Sequence, residues 1–271
     1  MMMSVPILAI LFYLAGGLLI ALRLFSADGQ RRPPRILALA AGWIAICLHA
    51  VILLQTVWGD GGLNLAFFNT LSLLAWVVSV LLLLSALGKP VENLGILLMP
   101  VTALTVALAW RMPSVHLLSA DAGVALGIHV MLSLLAYGVL TLASVQAILL
   151  AIQDRQLHKH HPGGFVRALP PLQSMETLLF QLIALGFGLL TLALASGFVY
   201  LDDLFAQHLV HKTTLSIIAL LLFGVLLGGR LFAGWRGKRA VYLYLWGFGI
   251  LGLAYFGSRV VLEEILGRSW G

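Results

Sequence analysis

Eight apolar runs follow one another along this chain, at about 4–22, 36–55, 65–87, 94–110, 126–152, 178–200, 213–232 and 240–262. Each is near the ~20 residues that a helix needs to cross a hydrocarbon core. The fourth is the shortest and contains Pro100. Lipid cannot hydrogen-bond an exposed main chain, so such runs must satisfy their amides internally, as helices. The predicted fold is therefore all-α: a polytopic membrane bundle of about eight transmembrane helices, forming a single integral membrane domain over residues 1–271. Composition excludes a water-soluble domain, since 61% of the residues are hydrophobic, only 10% are charged and the mean hydropathy is +1.05. The first run, in "MMMSVPILAILFYLAGGLLIALR", has no basic residue before it and no small-x-small cleavage pattern after it, and is read as a retained span.

Orientation follows from the Lys and Arg residues of alternate loops. One side collects twelve: Arg23, Arg31, Arg32, Arg35, Lys89, Arg155, Lys159, Arg167, Arg230, Arg236, Lys238 and Arg239. The other collects four: Arg111, Lys212, Arg259 and Arg268. This bias predicts a cytoplasmic first side and periplasmic termini. The net charge of +6 is accounted for by these loops and calls for no nucleic-acid partner. Cys47 is the only cysteine, so no intramolecular disulfide can form.

The longest polar segment, "DRQLHKHHPGGFVRALPPLQSME", separates runs five and six. Pro162, Gly163 and Gly164 break any helix continuing into it, and Pro170–Pro171 impose extended geometry before the next. His158, His160 and His161 are read as part of a basic solvated loop rather than a metal site.

Within the spans, polar residues are few. At 100° per residue, His129, Ser133, Tyr137, Thr141 and Ser144 share an arc of about 120° on run five, which should face other helices. Interhelical hydrogen bonding accounts for the hydroxyls. His129 is ionisable, and function is the default reading of such a residue inside a span. At the helical rise it lies about 5 Å below the outer end of its run, and His49 of run two lies about 9 Å below the same surface. Two histidines at similar depth suit a bis-histidine haem, whose iron takes one imidazole on each face. They equally suit two core histidines bonded to carbonyls, and the positions alone leave both readings open. Cys47 points about 200° away from His49 and adds nothing to a metal site. In "DDLFAQHLVHK", His208 and His211 are three apart, in an outer loop; either can serve as an axial ligand or remain exposed. Arg259, in "YFGSRVVLEE", can pair with a haem propionate, with Asp202 or Asp203, or with Glu263 one turn on.

Two apparent motifs carry no chemistry. "GFGILG" (Gly247, Gly249, Gly252) fits a dinucleotide fingerprint but lies inside a span with no preceding strand. "GVLLG" (Gly224, Gly228) fits a helix-packing motif, and both are read as close-packing faces. No nucleophile-and-base set, phosphate loop or carboxylate pair is visible, and no enzymatic activity is expected.

The segments "HVMLSLLAYGVLTLASVQAILLAIQDRQL", "LPPLQSMETLLFQLIALGFGLLTLALASG", "HKTTLSIIALLLFGVLLGGRLFAGWRGKRA" and "LAYFGSR" together resemble the cytochrome c assembly family, which includes the CcsA and CcmC haem-handling membrane proteins. The likeness is greatest to the shorter branch of YpjD-type and HemX inner-membrane proteins. It is strong over residues 120–262, with a core of about 36–266 in all. The resemblance implies a multi-pass bacterial inner-membrane protein that binds haem b and acts in haem handling or cytochrome c biogenesis. Its implied partners are the bilayer, haem and other membrane or cytochrome-maturation proteins. His129 matches the outward-facing ligand of the family's "HV…LSYA" context. His49 or, less favoured, His211 would be the second ligand, and Arg259 would steer the propionates. The chain departs from CcsA in three places. "LDDLFAQHLVHKTTLS" has no tryptophans where CcsA-type members carry a tryptophan-rich segment, and only Lys212 and Thr213 echo its end. Leu266 stands near an expected second outward histidine, and Gly228 near one expected late in run seven. These departures argue against haem attachment to an apocytochrome. Two other classes remain: a membrane scaffold or regulator whose histidines only pack, and a transporter subunit using the polar stripe of run five. The latter would show inverted repeats or paired broken helices, which the chain lacks.

Overall fold

The computed structural model describes residues 4–26, 32–59, 62–89, 91–118, 123–158, 169–200 and 210–257. These hold eight α-helices: α1 (Ser4–Phe25), α2 (Arg35–Thr56), α3 (Phe67–Gly88), α4 (Gly95–Arg111), α5 (Gly123–His158), α6 (Leu172–Tyr200), α7 (Val210–Ala233) and α8 (Gly237–Gly252). Seven are long and apolar enough to cross a membrane. The eighth has 16 residues and passes into a π-helical turn over Leu253–Gly257. The protein is an all-α polytopic membrane protein. It divides into two compact units, one formed by residues 1–122 and 156–170, the other by 123–155 and 171–271.

In the first unit, α1 packs on α2 and α4, and α3 packs on α2 and α4. The apolar positions that meet there include Ala9, Tyr13, Ala45, Ile46, Leu83 and Met99. Lipid is as apolar as leucine, so close contact and not water exclusion must hold membrane helices together, and glycine brings them nearest. A methyl group placed on Gly16 would come within 2.9 Å of Met99 Sδ, and one on Gly42 within 2.8 Å of Leu83 Cδ1. Pro100 lies inside α4, where a methyl on Gly17 would meet its Cδ at 3.2 Å. The glycine makes room for the proline ring. At one end of the unit, Arg35 at the start of α2 pairs with Glu92 at 3.1 Å.

A short antiparallel sheet, absent from the sequence-based expectation, joins the loops at the other end. Its strands are β1 (Trp58–Gly59), β2 (Gly62–Asn64) and β3 (Leu117–Leu118), in that order. Leu63 is opposite Trp58 on one side and Leu118 on the other. Asn64 holds the arrangement: its Oδ1 accepts from the His116 amide at 2.9 Å and the Ala66 amide at 3.2 Å, while its Nδ2 donates to Ser114 O at 3.1 Å.

In the second unit, α5 and α6 reach beyond the apolar runs that announced them. The run at 126–152 becomes a helix ending at His158, and the run at 178–200 begins at Leu172. Directly after Pro170–Pro171, the Pro171 carbonyl accepts from the amides of Ser174 and Met175 at 2.9 and 3.1 Å. Pro162, Gly163 and Gly164 fall outside the described residues. Of the proposed close-packing glycines, Gly247 meets the Phe223 ring, with Cε1 at 2.7 Å from an added Cβ, and Gly224 lies 3.5 Å from Phe187. Gly228, Gly249 and Gly252 face open space, so the two motifs pack through one glycine each. Gly234 and Gly237, with φ of +62° and +58°, form the turn between α7 and α8, a conformation that favours glycine. Trp235 folds back in this turn, its amide donating to Gly229 O at 3.0 Å.

Candidate functional site

His129 lies near the start of α5, half-buried, and turns toward α6. Its Nδ1 is 2.9 Å from the Ala193 carbonyl oxygen and 3.1 Å from Ser196 Oγ. A carbonyl only accepts, so Nδ1 carries the proton. The Ser196 hydroxyl donates to the same carbonyl at 2.8 Å. In the neutral ring this tautomer leaves the lone pair on Nε2, for which no hydrogen-bond partner occurs among the described residues. A carbonyl on one nitrogen and an open lone pair on the other is the usual dress of a metal-ligating imidazole.

The remaining stripe of α5 divides. Tyr137 bonds across helices, its hydroxyl donating to Leu251 O at 2.9 Å. Thr141 and Ser144 do not, since they donate to carbonyls of their own helix, Tyr137 O at 2.7 Å and Thr141 O at 2.8 Å. The interhelical role expected of the Ser and Thr hydroxyls thus fails for these two, while Tyr137 does bond across helices. A helical carbonyl one turn back is always within reach of a Thr or Ser side chain and satisfies it without a partner helix.

His49 has another environment, inside the first unit. It is fully buried, with Nδ1 3.2 Å from the Tyr13 hydroxyl of α1 and Nε2 2.9 Å from Ser72 Oγ of α3. The Tyr13 ring stands edge-on to the imidazole at 5.8 Å between centroids. Both ring nitrogens are engaged, so a ligand role requires one of these bonds to be given up. Cys47, two residues earlier, is exposed, as the helical spacing predicts. The partners Tyr13 and Ser72 were not singled out in the sequence, where single hydroxyls in apolar runs are too common to mark a site.

His211 is exposed in the first turn of α7, and Lys212 and Thr213 follow it there. His158 is exposed at the end of α5. Arg259, His160, His161 and His208, with Asp202, Asp203, Glu263 and Leu266, lie outside the described residues. Among the described residues no group of three or more His, Cys, Asp or Glu side chains forms a metal site. A haem needs no such group, because a single imidazole can hold one face of its iron.

The second unit also contains a charged cluster that the sequence reading passed over. Glu176 in α6 pairs with Arg230 at 3.7 Å and Arg236 at 3.4 Å, and accepts from the Gly237 amide at 3.0 Å. Asp154 in α5 faces Lys238 at 3.9 Å. The available signal was that Asp154 and Glu176 are two of the four acids on the side dominated by basic residues.

These features define a polytopic all-α membrane protein with a half-buried histidine, held at Nδ1 by α6, near one end of a helix long and apolar enough to cross a membrane. The family model described as cytochrome C assembly protein matches residues 36–266. The chain belongs to the cytochrome c assembly protein family. It is 34% identical to the inner membrane protein YpjD of Escherichia coli (strain K12), over 96% of this chain and 99% of the relative. It is 28% identical to the cytochrome c biogenesis protein CcsA of Chlamydomonas reinhardtii, over 80% of this chain and 64% of the relative. With CcsA of Synechococcus sp. (strain JA-3-3Ab) the identity is 26%, over 97% and 91%. No solved structure gives a significant match.

Proposed function

We propose that this protein is a multi-pass bacterial inner-membrane protein that binds haem b near the periplasmic leaflet and acts in haem handling or cytochrome c biogenesis, without a catalytic step of its own. The observation that carries the reading is the His129 ring, protonated at Nδ1 by its bond to Ala193, with no hydrogen-bond partner for Nε2 among the described residues. Membership of the cytochrome c assembly family and the likeness to the CcsA proteins support it. Bound there, haem would supply an iron that accepts the Nε2 lone pair. Ala193 and Ser196 fix the ring's rotation and tautomer, which raises the basicity of the other nitrogen. The second ligand expected from the sequence is His49, with His211 as the next choice. Arg259 would pair with a propionate.

The test is the visible spectrum of the detergent-purified protein before and after haem addition, with His129→Ala, His49→Ala and His211→Ala in parallel. Low-spin bands lost in His129→Ala and in one other variant identify the ligand pair. A protein that stays colourless after haem addition overturns the reading in favour of a membrane scaffold.

A further inference from the structure

The end of the second unit remote from His129 holds a site of different chemistry. About 25 residues further along α5, roughly 38 Å at the helical rise, the ends of α5, α6 and α8 line an open cavity of about 870 Å³. We propose that this cavity seats the headgroup of an anionic phospholipid drawn from the surrounding bilayer, with Arg155, Arg236 and Lys238 facing its phosphate.

The charges around the cavity are unbalanced. Arg155, Arg236 and Lys238 line it, against Asp154 and Glu176. Glu176 is only 12% exposed and takes contacts from two guanidinium groups and an amide, including Arg230 from behind the lining. Its charge is spent inside the protein. The cationic heads, by contrast, reach outward: Arg236 is 59% and Lys238 63% exposed, and their ion pairs are long at 3.4 and 3.9 Å. The balance presented to a ligand is positive.

The rest of the wall is apolar and continues onto the lipid-facing surface. Ile148 and Ile152 line the cavity and are exposed on α5, and Tyr242 does the same on α8. Trp246, one turn beyond Tyr242, is 72% exposed and carries the apolar wall further along the lipid-facing side of α8. The volume falls within the roughly 300–1,000 Å³ of small-molecule pockets. A free phosphate would use the cations and leave this wall empty, and a zwitterionic lipid would cover the wall without matching the charge. An anionic phospholipid satisfies both halves. Basic pockets between helix ends are the ordinary way in which membrane proteins hold such headgroups.

The experiment is thermal unfolding of the full-length protein in a mild detergent with added phosphatidylglycerol, with phosphatidylcholine of the same acyl chains, or with inorganic phosphate. Phosphatidylglycerol alone should raise Tm, by roughly 2–4 °C at saturation. The double variant Arg155→Gln/Lys238→Gln should lose that increment, while the charge-retaining Arg155→Lys/Lys238→Arg should keep it. An equal rise with phosphatidylcholine would reduce the effect to apolar solvation, and an equal rise with phosphate would identify an anion site without a lipid. If the double glutamine variant still responds, or unfolds while the charge-retaining variant fails to respond, the site is overturned. His129→Ala should respond like the parent protein, which separates this outcome from that of the haem reading.

Discussion

The Tyr137 hydroxyl donates to the Leu251 carbonyl oxygen at 2.9 Å, joining the middle of α5 to the end of α8 across 114 positions of chain. Leu251 stands just before the π-helical turn at Leu253–Gly257, and the rings of Tyr137 and Tyr255 meet at 5.5 Å. A π turn shifts the main-chain bonding by one residue and loosens the carbonyls beside it. The phenol supplies a donor at that point. One turn further along α5, the Tyr244 hydroxyl of α8 donates to Leu140 O, so two phenols tie these helices together. Tyr137→Phe should therefore destabilise the protein by about 1 kcal/mol, and Tyr137→Phe/Tyr244→Phe by about twice that. Thermal unfolding in detergent measures both.

The His49 bonds make a second prediction. Ser72→Ala strips the partner of Nε2 from a ring that no solvent reaches, and should cost about 1–3 kcal/mol. Tyr13→Phe should cost less, because its bond is longer, 3.2 Å against 2.9 Å, and the ring contact survives. Chemical denaturation of the two variants ranks them, and the reverse order would show that Tyr13 is the principal partner.

Two glycines of α8 only two residues apart, and so about 200° apart around the helix, should respond differently. Gly247→Ala drives a methyl into Phe223, whose ring is stacked on Tyr244 at 5.5 Å and cannot move freely. Overpacking of this kind costs about 1–3 kcal/mol. Gly249→Ala meets nothing within 4 Å and should leave stability unchanged or raise it by up to about 1 kcal/mol through helix propensity. Paired thermal melts check the contrast.

Glu176→Gln removes the charge that holds Arg230 and Arg236 and weakens the acceptor for the Gly237 amide. The α7–α8 turn should then open more often, since local opening scales with the contacts that close it. Limited trypsin digestion should cut after Arg236, Lys238 or Arg239 faster than in the parent protein, at an unchanged rate elsewhere.

Ser196→Ala tests the orientation of His129. The Ala193 carbonyl remains to hold Nδ1, so the haem spectrum should persist while affinity falls by roughly 10-fold or more, as for other groups that orient a metal ligand. Haem titration measures it, and an unchanged affinity would assign the positioning to Ala193 alone.

The helices and their number were legible from the apolar runs because hydrocarbon leaves the main chain no other way to satisfy its amides. Even the short fourth run with Pro100 became α4, Glycine at position 17 making room for the ring. That His129 and Tyr137 look toward other helices followed from helical periodicity, though one meets α6 and the other α8. Periodicity says nothing about what lies opposite, and there the tertiary structure decided. His49 and His129 look alike in sequence, each a lone histidine at similar depth in an apolar run. One meets two hydroxyls and the other a carbonyl, because their neighbours come from helices 23 to 67 positions away. The extensions of α5 and α6 past their apolar runs, and the small sheet around Asn64, were equally beyond reach. The sheet rests on hydrogen bonds of Asn64 to residues some 50 positions away, and the added turns of α5 and α6 are polar, so neither leaves an apolar period in the chain. Solvation by lipid acts on every residue of a run and writes itself into composition, whereas the pairing of two particular polar atoms exists only once the helices have packed.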